Sequence, residues 1–178
     1  MIEFIDVTKT YGEDSAVSGF SLIAPSGKIT VLMGLSGSGK TTLLRAVNKL
    51  VQPTAGSVLI DGNDIANLDS VVLRRSIGYV MQEVGLLPHK SVLDNVTLIA
   101  NIAGQTKDEA LNNALELLEL VGIDGSFHDR FPGQLSGGQQ QRVGVARALA
   151  IKPNILLMDE PFGSVDPIVR EELQDELV

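Results

Sequence analysis

One stretch near the N-terminus, residues 29–50, limits the possible folds of this chain more than any other. Five residues of strand character at 29–33 lead directly into the loop GLSGSGKT at 34–41. Four apolar residues then recur at the spacing of a helix: Leu43, Leu44, Val47 and Leu50. A strand, a glycine-rich loop of this pattern and a helix in immediate succession predict a loop that binds the phosphates of a nucleotide.

The residue types in this loop suit phosphate chemistry. Glycine permits turns that a side chain would block, and it brings backbone N–H groups close to the phosphates. The helix that opens near Lys40 adds unpaired N–H groups and a positive dipole end. We expect Lys40 to reach the β- and γ-phosphates and the Thr41 hydroxyl to bind Mg²⁺. The other nucleotide contacts expected in the loop are Gly34, Ser36, Gly37, Ser38, Gly39 and Thr42.

Composition narrows the class of protein. The chain has 178 residues, of which 44% are hydrophobic, so we expect one globular domain that carries an inserted lobe. It contains no cysteine, which removes disulfides and thiolate catalysis. The net charge of −8 argues against a nucleic acid partner. We see no signal peptide, and apolar runs such as Ile155–Met158 are too short to span a bilayer.

The pattern along the chain predicts an α/β fold. Strands are predicted at 2–7, 16–23, 29–33, 57–60, 77–81 and 155–158, with a short helix at 71–75. Residues 92–150 are mainly helical, and the sequence from Thr106 to Glu109 predicts a capping box at the start of one of these helices. The inner faces there are predicted to be Val92, Val96, Ile99 and Ala103, then Leu111, Leu115, Leu118 and Val121, then Val143, Ala146, Leu149 and Ala150. A charged amphipathic helix is predicted to start at 168–177. We expect a nucleotide-binding core of residues 1–85 and 151–178, an N-terminal antiparallel β region within it, and an inserted helical lobe at 86–150.

Two acidic residues follow the last apolar strand. Asp159 and Glu160 come directly after residues 155–158. In a nucleotide hydrolase, one such carboxylate supports Mg²⁺ and a neighbouring one polarises the attacking water. The alternative is a strand that simply ends at solvent.

A second glycine-flanked helix begins within the sequence LSGGQ at 135–139. Its N-terminus is physically a second anion site, although a chain with one phosphate-binding loop has no obvious phosphate left for it. The economical interpretation is that Ser136, Gly138 and Gln139 serve a nucleotide bound by another copy of the chain.

With these motifs in place, the sequence resembles the ATP-binding subunits of ABC transporters. The resemblance rests on the phosphate-binding loop, Gln82, LSGGQ, ILLMDEP at 155–161 and Asp166, which occur in the order typical of the family. It implies a P-loop NTPase core of the RecA-like type. It also implies a head-to-tail homodimer that encloses two ATP molecules, and a membrane permease as the partner that the dimer drives.

The resemblance assigns roles to individual residues. Ser136, Gly138 and Gln139 would contact the γ-phosphate bound by the partner copy. Asp159 would support Mg²⁺, and Glu160 would be the general base.

Three further positions acquire a role in the same way. Gln82 would contact Mg²⁺ and the attacking water, and Asp166 would lie in the loop that follows Glu160. Tyr11 matches the position that stacks on adenine, whereas by its sequence context alone core packing was the competing interpretation.

Finer similarity favours one branch of the family. The stretches at 74–82, 85–92 and 159–168 resemble importers of quaternary-ammonium osmoprotectants such as glycine betaine, carnitine or choline. Importers of amino acids or other polar solutes, soluble ABC ATPases and a non-hydrolysing nucleotide-binding module are the alternatives. The resemblance implies a peripheral position on the cytoplasmic face of the membrane and an indirect link to a solute-binding protein. Residues 83–92, here called the docking segment, would receive the permease.

One family feature is missing from the 178 residues. The family carries a switch histidine about 30 residues beyond the position of Glu160, after a further strand, whereas His89 and His128 both precede that position. We therefore expect a C-terminally truncated chain with weakened hydrolysis.

Overall fold

The computed structural model describes residues 1–160. The expected role of Asp166 and the charged helix predicted from residue 168 lie outside the described residues. The strands are β1 Ile2–Tyr11, β2 Asp14–Ala24, β3 Ala55–Ile60, β4 Asn63–Asp64, β5 Ile77–Val80 and β6 Ile155–Met158. The helices are α1 Lys40–Val47, α2 Ser70–Ser76, α3 Val92–Ile102, α4 Lys107–Leu120 and α5 Gly137–Leu149. The chain divides into two compact units, Met1–Arg74 and the part from Arg75 onward.

The first unit is built on a four-stranded antiparallel sheet in the order β2-β1-β3-β4. This confirms the predicted N-terminal β region. Phe4, Val7 and Val58 are buried. Phe4 and Val7 are three residues apart, and the register of β1 against β2 shifts between them, so both can face the core. Strands β1 and β3 approach closely at Gly56, where a Cβ atom would lie 2.3 Å from the carbonyl oxygen of Asp6. Only glycine fits there.

The strand predicted at 29–33 is not a strand in the structure, and that prediction is wrong for this chain. Residues 29–35 carry no regular secondary structure. Ile29, Val31 and Met33 are 66%, 71% and 90% exposed. A strand exists only through hydrogen bonds to a neighbouring strand, and none of the strands described in residues 1–160 pairs with this segment.

The second unit combines a parallel pair of strands with three helices. Strands β5 and β6 pair in register from Ile77 with Ile155 to Val80 with Met158. Gly78 on β5 lets α5 approach that strand closely, since a Cβ atom there would lie 2.6 Å from the carbonyl oxygen of Ala148. Helices α3, α4 and α5 pack around an apolar core with β5. Whether residues 86–150 form a separate lobe stays a prediction.

Local sequence signals predicted where the helices begin better than they predicted which helix residues are buried. The capping box predicted at Thr106 and Glu109 is present at the start of α4. The stripe predicted on that helix is partly wrong, because Leu111 and Leu115 are 40% and 37% exposed. The fully buried residues on α4 are Ala110, Ala114 and Leu118. The small side chains of Ala110 and Ala114 allow close helix packing, so side-chain volume as well as hydrophobicity decides which residues face inward.

The neighbouring helices show the same pattern. On α3 the buried row keeps the i, i+4 spacing from Val92 through Val96 to Ala100. The predicted face turned instead to Ile99, which is half-buried, and to Ala103, which is exposed, so that part of the prediction is wrong. The inner face predicted for α5 is largely confirmed: Val143, Ala146 and Ala150 are fully buried and Leu149 is half-buried. Within residues 1–160, no helix combines the length and the apolar character needed to cross a membrane.

Candidate nucleotide-binding site

The glycine-rich loop and the start of α1 form an open cradle of backbone groups. Helix α1 begins at Lys40, its N-cap is Gly39 with φ 88°, and no side chain caps it. Gly37 also has a positive φ of 81°. A Cβ atom at Gly39 would lie 2.4 Å from the carbonyl oxygen of Ala16, so both the conformation and the space require glycine there. An uncapped helix N-terminus leaves N–H groups for an anion.

Lys40 reaches back across this loop. Its Nζ donates hydrogen bonds to the carbonyl oxygens of Gly34 and Leu35, both at 2.9 Å. The ammonium group therefore lies among the loop's own dipoles, where phosphate oxygens can replace the two carbonyls as acceptors. This donor set, an ammonium group beside uncapped helix amides, fits a triphosphate. Ser36 and Ser38 lie exposed on the loop, and Thr41 and Thr42 lie half-buried in the first turn of α1.

Tyr11 lies at the end of β1 and is 51% exposed. Core packing is therefore the wrong interpretation for this ring. The Lys9 ammonium lies 5.0 Å from the ring centroid, a cation–π geometry. An exposed aromatic face suits stacking on a base, and the adenine contact stays a prediction.

The C-terminal ends of β5 and β6 bring three predicted residues together. Because the two strands are parallel, their carboxyl ends share one edge. The amide Nε2 of Gln82 donates to Oε2 of Glu160 at 3.0 Å. Glu160 has φ 48°, a left-handed conformation that is uncommon for a residue with a side chain.

Asp159 lies beside this pair and is 3% exposed. Its backbone N–H donates to the carbonyl oxygen of Val80, and the Tyr79 hydroxyl donates to its carboxylate at 3.4 Å. The carboxylate is therefore oriented by protein groups at the edge of the strand pair. Within residues 1–160, no group of three or more acidic or histidine side chains could bind a metal ion. One carboxylate fits Mg²⁺, which usually binds through one or two carboxylates plus substrate phosphates and water.

The LSGGQ sequence forms the capped start of α5. The Ser136 hydroxyl accepts from the N–H of Gln139, and the side-chain oxygen of Gln139 accepts from the N–H of Ser136. Gly137 and Gly138 follow in the first turn, and no atom lies within 4 Å of a Cβ built on either. Neither glycine is therefore required by packing within the described chain. Glycine costs helix stability, and no contact within residues 1–160 compensates that cost at these two positions.

Two polar side chains that contact the docking segment were not predicted from the sequence. Asn95 on α3 is 1% exposed, and its amide bonds to backbone groups of the docking segment. Arg147 on α5 donates to the carbonyl oxygens of Val84 and Gly85. A polar residue within the apolar face of a predicted helix was the available signal for Asn95. Arg147 stands among the small apolar residues of α5, and its partners are backbone groups that no sequence pattern identifies.

Comparison with known proteins finds transport ATP-binding proteins that match almost the whole chain. The carnitine transport ATP-binding protein OpuCA of Listeria monocytogenes is 46% identical over 99% of this chain and 45% of its own length. The choline transport ATP-binding protein OpuBA of Bacillus subtilis is 45% identical over 99% of this chain and 46% of its own length. The chain thus spans about half the length of these relatives.

A solved structure of a similar protein shares the fold of this chain. A dimeric post-hydrolysis state of the ATP-binding cassette MJ0796, bound to ADP and Pi, superposes with a TM-score of 0.91 and 38% identity. The similarity covers 99% of this chain and 81% of that one. The family described as ABC transporter matches residues 17–163. The chain belongs to the ABC transporter family.

Proposed function

We propose that the chain is the ATP-hydrolysing part of a subunit that powers import of a small solute through a membrane permease. The observation that carries the proposal is the hydrogen bond from Gln82 to Glu160 at 3.0 Å. It joins the carboxylate proposed as general base to the residue that precedes the docking segment. Binding of a permease at the docking segment and activation of the attacking water would therefore involve neighbouring residues.

In this proposal Lys40 and the amides at the start of α1 bind the phosphates of ATP. The Lys40 ammonium and the N-terminus of α1 stabilise the negative charge that develops on the phosphate oxygens as the γ-phosphoryl group is transferred to water. Glu160 accepts the proton of that water. Mg²⁺, bound by Thr41 and Asp159 with Gln82, would supply charge neutralisation on the phosphate oxygens.

A second copy of the chain completes each site. The supporting observation is the open space at Gly137 and Gly138, next to a capped helix N-terminus. Such a surface suits the γ-phosphate of a nucleotide bound by the other copy. MJ0796, which is dimeric and carries ADP and Pi, offers a precedent among similar proteins. ATP then stabilises the dimer, and hydrolysis releases it.

The solute class that we propose is a quaternary-ammonium osmoprotectant such as glycine betaine, carnitine or choline. The names of OpuCA and OpuBA support this class. The chain itself is not expected to touch the solute, which the permease and a solute-binding protein would recognise. The subunit would lie peripherally on the cytoplasmic face of the membrane. The net charge of −8 disfavours a soluble ABC ATPase that acts on nucleic acid.

Reconstitution tests the proposal. The full-length subunit is placed in vesicles with its permease and solute-binding protein, and uptake of labelled glycine betaine, carnitine and choline is compared with uptake of histidine and glutamine. We expect ATP-dependent uptake of a quaternary-ammonium solute and loss of that uptake with Lys40→Ala. Uptake of an amino acid alone would support the importer of polar solutes instead. ATP hydrolysis that no solute or permease stimulates would support a soluble ATPase.

A further inference from the structure

Two polar side chains connect the docking segment to the helical part of the second unit: Asn95, which is buried, and Arg147, which is half-buried. At its far end, the Asn95 side chain accepts from the N–H of Leu87 at 2.7 Å. Its Nδ2 lies 2.9–3.2 Å from the carbonyl oxygens of Leu87, Lys90 and Ser91. One side chain thus sets the path of five residues.

At its near end, the segment is bound by the LSGGQ helix. Arg147 donates through Nη1 to the carbonyl oxygen of Gly85 at 2.8 Å, and through Nη2 to that of Val84. The same helix approaches Val84 at Gly144, where a Cβ atom would lie 2.4 Å from Cγ1 of Val84. Helix α5 therefore holds Val84 and Gly85 in place through close packing at Gly144 and through two hydrogen bonds from the Arg147 guanidinium.

The chemistry of Arg147 is unusual for a packing residue. Burial lowers the pKa of its guanidinium, because removal from water disfavours the charge. Within residues 1–160, Arg147 takes part in no ion pair that would compensate this cost. An apolar side chain would fill the space without a buried charge. The guanidinium instead provides donors on two separate nitrogens at fixed positions to adjacent carbonyls, whereas a lysine in its place would offer a single nitrogen for both.

We propose that Arg147 is a positioning residue that makes the docking segment and helix α5 move as one body. Ser136 caps the start of helix α5, and the docking segment follows Gln82, which donates a hydrogen bond to Glu160. Displacement of the docking segment by a permease is then transmitted to the partner-facing end of α5 and to the general base together. This inference rests on the proposed function for its consequence, although the linkage itself can be measured without turnover.

Arg142 supplies a matched control on the same helix. Its Nη1 also lies near two adjacent carbonyl oxygens, at 3.2 Å from Gly122 and 3.5 Å from Val121, which lie outside the docking segment. Arg147→Lys and Arg142→Lys therefore each remove a guanidinium of one helix that contacts two adjacent carbonyls, through two nitrogens in Arg147 and through one in Arg142. Arg147→Met tests whether packing alone suffices. Unfolding midpoints of all three variants in the full-length protein show whether each one folds.

The linkage between the docking segment and helix α5 is tested by measuring the distance between two spin labels. The 178 residues lack cysteine, so nitroxide labels can be attached through Glu83→Cys and Gln140→Cys after replacement of any cysteine elsewhere in the full-length chain. We expect a narrow distance distribution in the parent and in Arg142→Lys, and its loss in Arg147→Lys and Arg147→Met. A narrow distribution in the Arg147 variants, or equal broadening in Arg142→Lys, would overturn the linkage.

Turnover in the complex with permease provides the functional readout. We expect Arg147→Lys to lower the permease-stimulated kcat about tenfold, the effect of one lost charge-assisted hydrogen bond, with KM for ATP unchanged. Arg142→Lys should keep the parental kcat. An unchanged kcat in Arg147→Lys would contradict the positioning role. Absence of ATP hydrolysis in the parent would defeat the proposed function, and the distance measurement would still decide the linkage.

Discussion

The side-chain amide of Gln82 donates a hydrogen bond to the carboxylate of Glu160, Nε2 to Oε2 at 3.0 Å, across the ends of two parallel strands. Gln82 belongs to the end of β5 and Glu160 to the end of β6, so their contact depends on the register of that pair. The bond orients a carboxylate whose backbone already adopts a left-handed conformation. In our proposal, its function is to aim the general base.

Removal of this hydrogen bond should slow the hydrolysis step and leave ATP binding nearly unchanged. We expect Gln82→Ala to lower kcat about tenfold or more with little change in KM for ATP, since the amide orients the base and does not bind the phosphates in our proposal. Steady-state ATP hydrolysis measures both constants. Gln105→Ala is the control, because Gln105 also donates one side-chain hydrogen bond, to the carbonyl oxygen of Ala150, away from the site. Equal losses in both variants would mean that Gln82 acts only through stability.

The glycines of the LSGGQ sequence should separate stability from function. We expect Gly138→Ala to stabilise the fold by about 0.5–1 kcal/mol, because alanine is the better helix former and the space is open. The same change should abolish ATP-dependent dimerisation. Urea unfolding and sedimentation measure the two effects. Gly144→Ala should instead destabilise the fold, because the added methyl group would clash with Val84.

Two lysines with similar contacts distinguish phosphate binding from packing. Lys40 donates to two carbonyl oxygens in the loop, and Lys49 donates to those of Ala66 and Leu68 at 3.0 and 2.8 Å. We expect Lys40→Ala to lose ATP binding in calorimetry, since a phosphate-binding charge disappears. Lys49→Ala should keep the affinity and lose about 1 kcal/mol of stability. Retained ATP affinity in Lys40→Ala would contradict the site.

Two capping boxes of the same design differ in their response to pH. The Thr106 N–H and hydroxyl bond the Glu109 carboxylate and lower its pKa from the usual value of 4.5. A lowered folded-state pKa gives stability that is present above the unfolded pKa and lost as pH falls through the folded one. The box of Ser136 and Gln139 does not titrate in this way.

Unfolding measured between pH 7 and pH 3 tests this difference. Thr106→Ala should flatten the pH dependence in the acid range, whereas Ser136→Ala should leave its slope unchanged and also reduce turnover. A steeper acid dependence in Thr106→Ala would contradict a lowered pKa for the Glu109 carboxyl in the folded state.

Sequence reasoning succeeded where a feature is set by neighbours along the chain. The capping box at Thr106, the start of α5 after Ser136 and the strands ending near Gln82 and Asp159 all follow local rules of turns, caps and alternation. Their residues are a few positions apart, so propensity and pattern suffice.

The failures have a different physical origin. Residues 29–33 carry every local mark of a strand, yet a strand requires a partner that lies elsewhere in the chain. Leu111 is more hydrophobic than Ala110, yet close helix packing buries the alanine. Arg147 binds backbone carbonyls 62 and 63 positions away, and backbone groups leave no trace in a sequence pattern. Tertiary contacts decided all three.

Glu160→Gln tests whether this chain belongs to an ATP-driven motor completed by a second copy. Glutamine keeps the shape and removes the base, so we expect ATP hydrolysis by the full-length protein to fall by at least about 100-fold. The variant should still bind ATP and should accumulate as an ATP-dependent dimer in sedimentation. Undiminished hydrolysis, or a variant that stays monomeric at saturating ATP, would contradict the proposal.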